Sequence, residues 1–172
     1  MRTGIVAFFA VLMIVGNAYA QCVDQLEVEC AEQAIYPGDV CVTLRLTTCS
    51  APFRAFGVEI LFPDDCLSFQ GLLSDGTLTS GWVQVDATVL PGTPARLRVG
   101  GYDAEGFGIQ IRSGLLKICF DLTADVPSGS EISVDESTMV DDLDGAIGIG
   151  CRMPSLTPVE DSTWGRIKSL FN

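Results

Sequence analysis

The sequence contains no histidine and has few basic residues, with 10 Lys and Arg against 22 Asp and Glu in 172 residues and a net charge of −12. Without histidine, Ser-His-Asp and Cys-His catalysis and histidine-based zinc sites are excluded. The shortage of positive charge argues against nucleic-acid binding, because phosphate recognition requires a basic surface. A hydrophobic content of 48% with 19% charged residues excludes a disordered chain. One folded domain is expected.

The sequence also lacks an apolar run long enough to span a membrane. The N-terminal run over residues 5–15 is about 12 residues long, whereas a transmembrane helix needs roughly 20. Ala18 and Ala20 occupy the small-residue positions of a signal-peptidase site. We therefore expect residues 1–20 to be a signal peptide of a secreted, cell-surface or periplasmic protein. A membrane anchor and a lipid anchor at Cys22 are the weaker alternatives.

All seven cysteines follow residue 20, and none forms a C-x-x-C pair. In an oxidising compartment, cysteines of this kind are expected to form disulfides. Zinc binding is the alternative, and the absence of histidine and of close cysteine pairs disfavours it. Seven cysteines predict three disulfides and one free thiol.

The exported part alternates apolar and polar residues at the period of a β-strand, and Gly-, Pro- and Asp-rich turns separate the segments. Strands that bury only one face require two sheets packed together. The pattern therefore predicts one all-β domain over residues 21–152, an antiparallel β-sandwich of about nine strands with jelly-roll topology. The predicted strands are 26–30, 40–47, 55–62, 66–72, 82–89, 95–102, 116–122, 132–134 and 147–149.

Residues 153–172 predict a linker followed by a short amphipathic helix. Ser162 and Thr163 can cap the helix, and Trp164, Ile167 and Phe171 fall on one helical face. This apolar face of the helix either docks into a partner protein or packs against the sandwich of its own chain. The segment resembles short W-G-x-[IV]-K-x-L-[FY] ends of exported bacterial proteins.

Three aspartates before the last strand, Asp141, Asp142 and Asp144, form a weak calcium candidate, because calcium prefers carboxylate oxygens. The full EF-hand loop is absent, so a solvated turn is the preferred interpretation. No phosphate-binding glycine loop and no other metal cluster is present, and we predict no cofactor.

Two further patterns bear on sugars. Glu59 with Asp64 or Asp65 is a conceivable glycosidase pair, but no spacing supports it, and we predict a protein that is not an enzyme. Trp82 and Tyr102 can stack on sugar rings if they are exposed, and Trp82 falls on the polar side of its strand. Packing of Trp82 over the edge of the sandwich is the preferred interpretation. Polar contacts would come from Gln84, Asp86, Arg96 and Arg98.

The order of the segments resembles a cohesin domain, the module of cellulosome scaffoldins that binds dockerins. Residues 113–122, SGLLKICFDL, are similar to a cohesin strand G-x-[LI]-x-x-[IL]-x-F-x-[VL], and a polar turn with Pro127 and Gly129 follows. Residues 36–44 are similar to x-P-G-D-x-V-x-[VL]. Residues 53–67 resemble the cohesin segment that ends in Y-[DN]-x-x-x-L, with Phe62 at the tyrosine position. The resemblance covers roughly residues 24–151.

The resemblance implies a secreted, non-catalytic module for protein docking or carbohydrate binding in extracellular polysaccharide degradation. Its partner is a dockerin-like protein or a polysaccharide, and it binds on the sheet of residues 55–62, 81–90 and 95–102. On the first of these strands the exposed positions are expected to be Ala55, Gly57 and Glu59. The alternative is a structural envelope protein that uses the sandwich as a scaffold and the tail for attachment.

Within the implied strand order, side-chain direction favours three disulfides: Cys22–Cys49, Cys30–Cys151 and Cys41–Cys119. Cys66 is then free. A bridge between Cys30 and Cys41 is the rival, and it requires a bulge in the first hairpin.

Overall fold

The structure, a computed structural model, describes residues 22–30 and 39–156, and this part contains ten strands and no helix. The predicted signal peptide and C-terminal helix lie outside the described residues. No described helix is long and apolar enough to cross a membrane. The strands are β1 Gln25–Glu29, β2 Asp39–Thr48, β3 Phe53–Phe62, β4 Leu67–Leu73, β5 Gln84–Leu90, β6 Ala95–Phe107, β7 Gln110–Leu122, β8 Glu131–Asp141, β9 Ile147–Ile149 and β10 Cys151–Arg152.

The strands form two five-stranded sheets packed face to face. The first sheet has the order β4-β7-β2-β1-β9, and the second has the order β10-β8-β3-β6-β5. The chain passes repeatedly from one sheet to the other, and its named strand pairs are antiparallel except for β1 with β9. The predicted all-β sandwich is confirmed, with one strand more than expected.

The core lies between the two sheets and follows the alternation seen in the sequence. In β2, Val40, Val42, Leu44 and Leu46 are fully buried, while the residues between them face outward. The opposing sheet contributes Phe56, Val58 and Ile60 of β3 among others. Each such side chain stabilises the fold by about 1.5–3 kcal/mol when it leaves water.

Three disulfides are present, Cys22–Cys49, Cys30–Cys151 and Cys41–Cys119, the same three pairs that strand direction favoured. Cys41 and Cys119 are register partners on β2 and β7, and Cys30–Cys151 links the first sheet to the second. Cys66 is a buried free thiol. Burial, with a hydrogen bond to Asp65 as a second cause, raises the pKa of this thiol to about 11.

Two strands extend beyond their predicted ends. β6 continues past Tyr102 to Phe107 through an irregular pairing with β3, where Gly106 has a φ of 64°. A Cβ atom at Gly106 would lie 2.2 Å from the carbonyl oxygen of Phe53, so only glycine fits. β7 begins at Gln110, and its first residues are exposed. The alternating pattern breaks at both places, which is why sequence periodicity missed them.

The predicted linker begins later than Met153. Met153 and Leu156 are buried, and Leu156 forms a backbone bridge with Val126. Both side chains belong to the hydrophobic core, so packing in the described part of the chain extends to residue 156. The two prolines of the segment suggested a linker, but burial of these two side chains holds its first part in place.

Candidate functional site

The outward-facing side of β8, β3, β6 and β5, called here the β3–β6 face, collects most of the predicted site residues. Because Phe56, Val58 and Ile60 point into the core, the residues between them point outward. Each outward-facing residue of β3 lies opposite a residue of β6, which in turn lies opposite a residue of β5, and these three residues form a row. The rows are Ala55 with Tyr102 and Gln84, Gly57 with Gly100 and Asp86, Glu59 with Arg98 and Thr88, and Leu61 with Arg96 and Leu90.

Glu59 is not exposed as the alternation suggested, since only 5% of the residue is accessible. The Glu59 Oε1 atom accepts hydrogen bonds from Arg98 Nη2 at 2.7 Å and from Arg98 Nε at 3.1 Å, and Oε2 accepts one from Arg96 Nη1 at 3.3 Å. The two arginine side chains lie over the carboxylate and remain 48% and 64% exposed. Glu59 therefore holds two guanidinium groups at the surface.

A shallow depression lies beside this cluster, next to Gly57. Its volume is about 430 Å³, and Glu59, Arg98, Thr138 and Val140 help to line it. A Cβ atom at Gly57 would lie 2.8 Å from Val140 Cγ2, and one at Gly100 would lie 3.0 Å from a backbone oxygen. The two glycines therefore allow β8, β3 and β6 to pack closely at this point, and the Val140 side chain lies next to Gly57.

β8 supplies two residues of this face that sequence analysis missed. Val140 is 50% exposed beside Gly57, and Thr138 Oγ1 accepts a hydrogen bond from the Glu59 backbone N–H at 2.8 Å. The polar run DEST at residues 135–138 interrupts the alternation because β8 bulges there. The apolar Met139-Val140 pair after that run was the available signal that the strand continues.

Trp82 does not stand free on the surface. Its ring lies 5.6 Å from Phe107, 5.9 Å from Phe56 and 6.3 Å from Phe53, measured between ring centroids. Trp82 is half-buried and packs against the core, which agrees with the edge-packing interpretation. Residues 78–81 form a turn and β5 starts only at Gln84, so strand parity does not apply to Trp82. The contacts cover part of the ring surface that a sugar would need. Tyr102 remains 47% exposed.

The aspartates of the weak calcium candidate have a structural use. Asp142 Oδ2 accepts hydrogen bonds from the backbone N–H groups of Arg54 at 2.5 Å and Ala55 at 2.9 Å. Asp141 and Asp144 belong to the same turn, which Asp142 fastens to the start of β3. In residues 22–30 and 39–156 no three carboxylate or thiol side chains are grouped to hold a metal ion. The turn interpretation fits this arrangement.

No protein-family model matches the sequence, and no curated protein matches it. Solved structures do match. A cohesin module from a Clostridium perfringens family 33 glycoside hydrolase has a TM-score of 0.55 at 5% identity, covering 79% of this chain and 98% of its own. The sixth cohesin of Acetivibrio cellulolyticus scaffoldin B, solved with a Cel5 dockerin, has a TM-score of 0.51 at 12% identity and covers 80% and 99%.

This chain has the cohesin fold. A type I cohesin–dockerin complex from Clostridium thermocellum, Coh-OlpA with Doc918, also matches, with a TM-score of 0.50 at 16% identity over 77% of this chain and 94% of that one. At these identities the likeness concerns the fold. The predicted cohesin-like architecture is confirmed.

The outer face of the other sheet in this cohesin fold differs from the β3–β6 face. Its main charges are paired with each other: Arg112 donates two hydrogen bonds of 2.8 Å to Glu27, and Arg45 pairs with Glu29 at 2.5 Å. The hydrogen bonds from Arg112 lower the pKa of the Glu27 carboxyl. The cohesin fold therefore presents one face on which arginine and glutamate pair one to one, and one on which two arginines share Glu59 beside an exposed tyrosine and an exposed valine.

Proposed function

We propose that this chain is a secreted, non-catalytic docking module that binds a dockerin-like partner through the β3–β6 face. The observation that carries the proposal is the depression beside Gly57, with Val140 half exposed in its lining and Tyr102 exposed on the same face of a cohesin fold. Two cohesins of the same fold were solved with dockerins. The setting would be extracellular polysaccharide degradation.

The face has the composition expected of a protein interface. Exposed tyrosine and valine side chains supply apolar contact area, and arginine is enriched at interfaces because it combines hydrogen bonding with a broad apolar surface. The depression beside Gly57 leaves room for a side chain of the partner. These features support protein docking over sugar binding, since the ring of Trp82 is packed against phenylalanines.

Export is part of the proposal. The signal-peptide pattern of residues 1–20 leads the chain out of the cytoplasm, and three disulfides persist only in an oxidising compartment. The tail residues Trp164, Ile167 and Phe171 are assigned no role in docking. Removing residues 157–172 is therefore expected to leave partner binding unchanged.

The test measures binding of dockerin modules encoded in the same genome to residues 21–172 by isothermal titration calorimetry. Val140→Arg places a long charged side chain beside Gly57 and is expected to weaken binding by a factor of about ten or more, the size typical of a central interface residue. Leu73→Arg is the matched control, because Leu73 is 51% exposed on β4 of the other sheet.

Three results would overturn the proposal. The first is the absence of binding to every dockerin module offered. The second is a larger loss from Leu73→Arg than from Val140→Arg. The third is retention on cellulose or chitin that Tyr102→Ala abolishes, which would assign the face to a polysaccharide.

A further inference from the structure

A second depression on the β3–β6 face lies between the β5–β6 turn and the two arginines. Its volume is about 410 Å³. The apolar part of its lining comes from Leu61, Leu90, Pro91 and Pro94. The charged part consists of Arg96, Arg98 and the buried carboxylate of Glu59, so the lining carries one net positive charge on a chain whose net charge is −12.

Arg96 and Arg98 have N–H donors that bond to no other group in the described part of the chain. A guanidinium carries five N–H donors. Arg96 uses Nη1 toward Glu59, and Arg98 uses Nε and Nη2, while no other acceptor is bonded to either group in the described part of the chain. The remaining donors face solvent. Asp86 lies one row away, and it accepts a hydrogen bond from Gln84 and does not line the depression.

Glu59 makes this arrangement a preformed site rather than two loose surface side chains. Its side chain is only 7% exposed, and the carboxylate fixes both guanidinium groups from below. Ordering a long arginine side chain on binding normally costs free energy, and a side chain that is already held avoids part of that cost. Arg45 and Arg112 on the other sheet differ, because each is paired with a glutamate of its own and the pair carries no net charge.

We propose that Arg96 and Arg98 bind a carboxylate side chain of the docking partner, and that the lining of Leu61, Leu90 and the two prolines takes an apolar residue next to it. The inference rests on the proposed docking function and names the chemistry of the partner at this point. The partner segment is a peptide with an acidic residue beside an apolar one. Planar guanidinium donors match a carboxylate in two-point geometry.

The experiment uses two synthetic peptides, blocked at both ends, that differ only in having Leu-Glu or Leu-Gln at their centre. Each is titrated into ¹⁵N-labelled protein of residues 21–172, and the arginine Nε–Hε resonances are followed. The resonances of Arg96 and Arg98 are expected to shift with the Glu peptide and about fivefold less with the Gln peptide. Those of Arg45 and Arg112 are the internal control and are expected to stay in place.

A variant pair completes the test. Arg96→Gln leaves the two hydrogen bonds from Arg98 to Glu59 intact and is expected to weaken binding of the Glu peptide by about fivefold, the scale of an exposed ion pair. Arg152→Gln removes the same charge from exposed β10 of the same sheet and is expected to change nothing. Thermal unfolding of both variants checks that each is folded.

Equal shifts with the two peptides would overturn the inference, as would equal losses from Arg96→Gln and Arg152→Gln. Tighter binding of polygalacturonate than of the Glu peptide, per carboxylate, would assign the site to an acidic polysaccharide and also overturn it. Peptide binding without any dockerin binding would overturn the proposed function alone. Dockerin binding that Arg96→Gln leaves unchanged would overturn this inference alone.

Discussion

Replacing Glu59 by Gln is expected to destabilise the fold far more than replacing Glu29 by Gln, although each glutamate pairs with arginine on an outward face. The difference comes from burial. The side chain of Glu59 is 7% exposed, whereas that of Glu29 is 39% exposed. An ion pair in water contributes little because solvent screens it, and a carboxylate shielded from water depends on its partners.

The magnitude follows from the contacts. Glu59 accepts three hydrogen bonds from charged donors, one of them long at 3.3 Å. A glutamine side chain in its place keeps one acceptor oxygen but turns an amide donor toward a guanidinium. Because the two arginines are half exposed and regain water, the loss is smaller than for a fully buried pair. We expect Glu59→Gln to lower the free energy of unfolding by about 2 kcal/mol, and Glu29→Gln to lower it by about 0.5 kcal/mol or less.

Urea unfolding at pH 7, followed by tryptophan fluorescence with the disulfides intact, measures both values. A common slope against urea for the two variants and the parent makes the midpoints directly comparable. Equal losses for Glu59→Gln and Glu29→Gln would refute the argument that burial gives Glu59 its importance. A negligible loss for Glu59→Gln would also remove the basis for calling the arginine site preformed.

Three further predictions concern the rest of the sandwich. Replacing both Cys30 and Cys151 by Ala is expected to lower the free energy of unfolding by about 4 kcal/mol, because with Cys41–Cys119 intact the bridge closes a loop of roughly 43 residues in the unfolded chain; urea unfolding checks it, and a loss below about 1 kcal/mol contradicts it. Asp121→Asn is expected to raise the melting temperature at pH 7 and leave it unchanged near pH 3. A hydrogen bond to the Asp39 carboxyl raises the pKa of Asp121 above its ordinary value of about 4. The folded parent protein therefore loses stability as the pH rises through that raised pKa, and the Asn variant does not. A melting temperature lowered by Asp121→Asn at pH 7 would show that the pair is not repulsive. Trp82→Ala is expected to lower the free energy of unfolding by about 3 kcal/mol, since the ring packs on three phenylalanines; unchanged stability in the urea experiment, together with lost retention on cellulose, would instead make Trp82 a sugar platform.

Strand periodicity predicted the sandwich well for strands with one buried face and one face exposed to solvent. β2 is the clearest case, because every second residue from Val40 to Leu46 is buried. The same parity placed Cys41 and Cys119 outward on neighbouring strands and Cys30 and Cys151 inward. The pattern works because a strand's side chains alternate strictly between its two sides.

Strand periodicity failed to predict burial where a side chain is covered by residues of a neighbouring strand rather than by residues of its own strand. Glu59 occupies an outward-facing position of β3, and it is buried because Arg96 and Arg98 of β6 cover it. Strand parity alone placed Trp82 on the polar side, and it could not show the packing on Phe53 and Phe107, which come from distant strands. Bulges in β6 and β8 likewise shift the register without a strong local signature. Sequence analysis therefore placed most of the candidate residues on one face of the sandwich, and it did not predict the burial of Glu59.

The Cys30–Cys151 bridge has a mechanical consequence. β10 has only two residues and, in the described part of the chain, pairs with β8 alone. Tension applied at residue 156 would first break the Val126–Leu156 bridge and then separate β10 from β8. The disulfide lies at the first residue of β10 and fastens it covalently to the end of β1 in the opposite sheet. A pulling force therefore passes into both layers of the sandwich at once, as a shear load on β1 and its partner β2. The domain would resist being peeled apart from its C-terminal side.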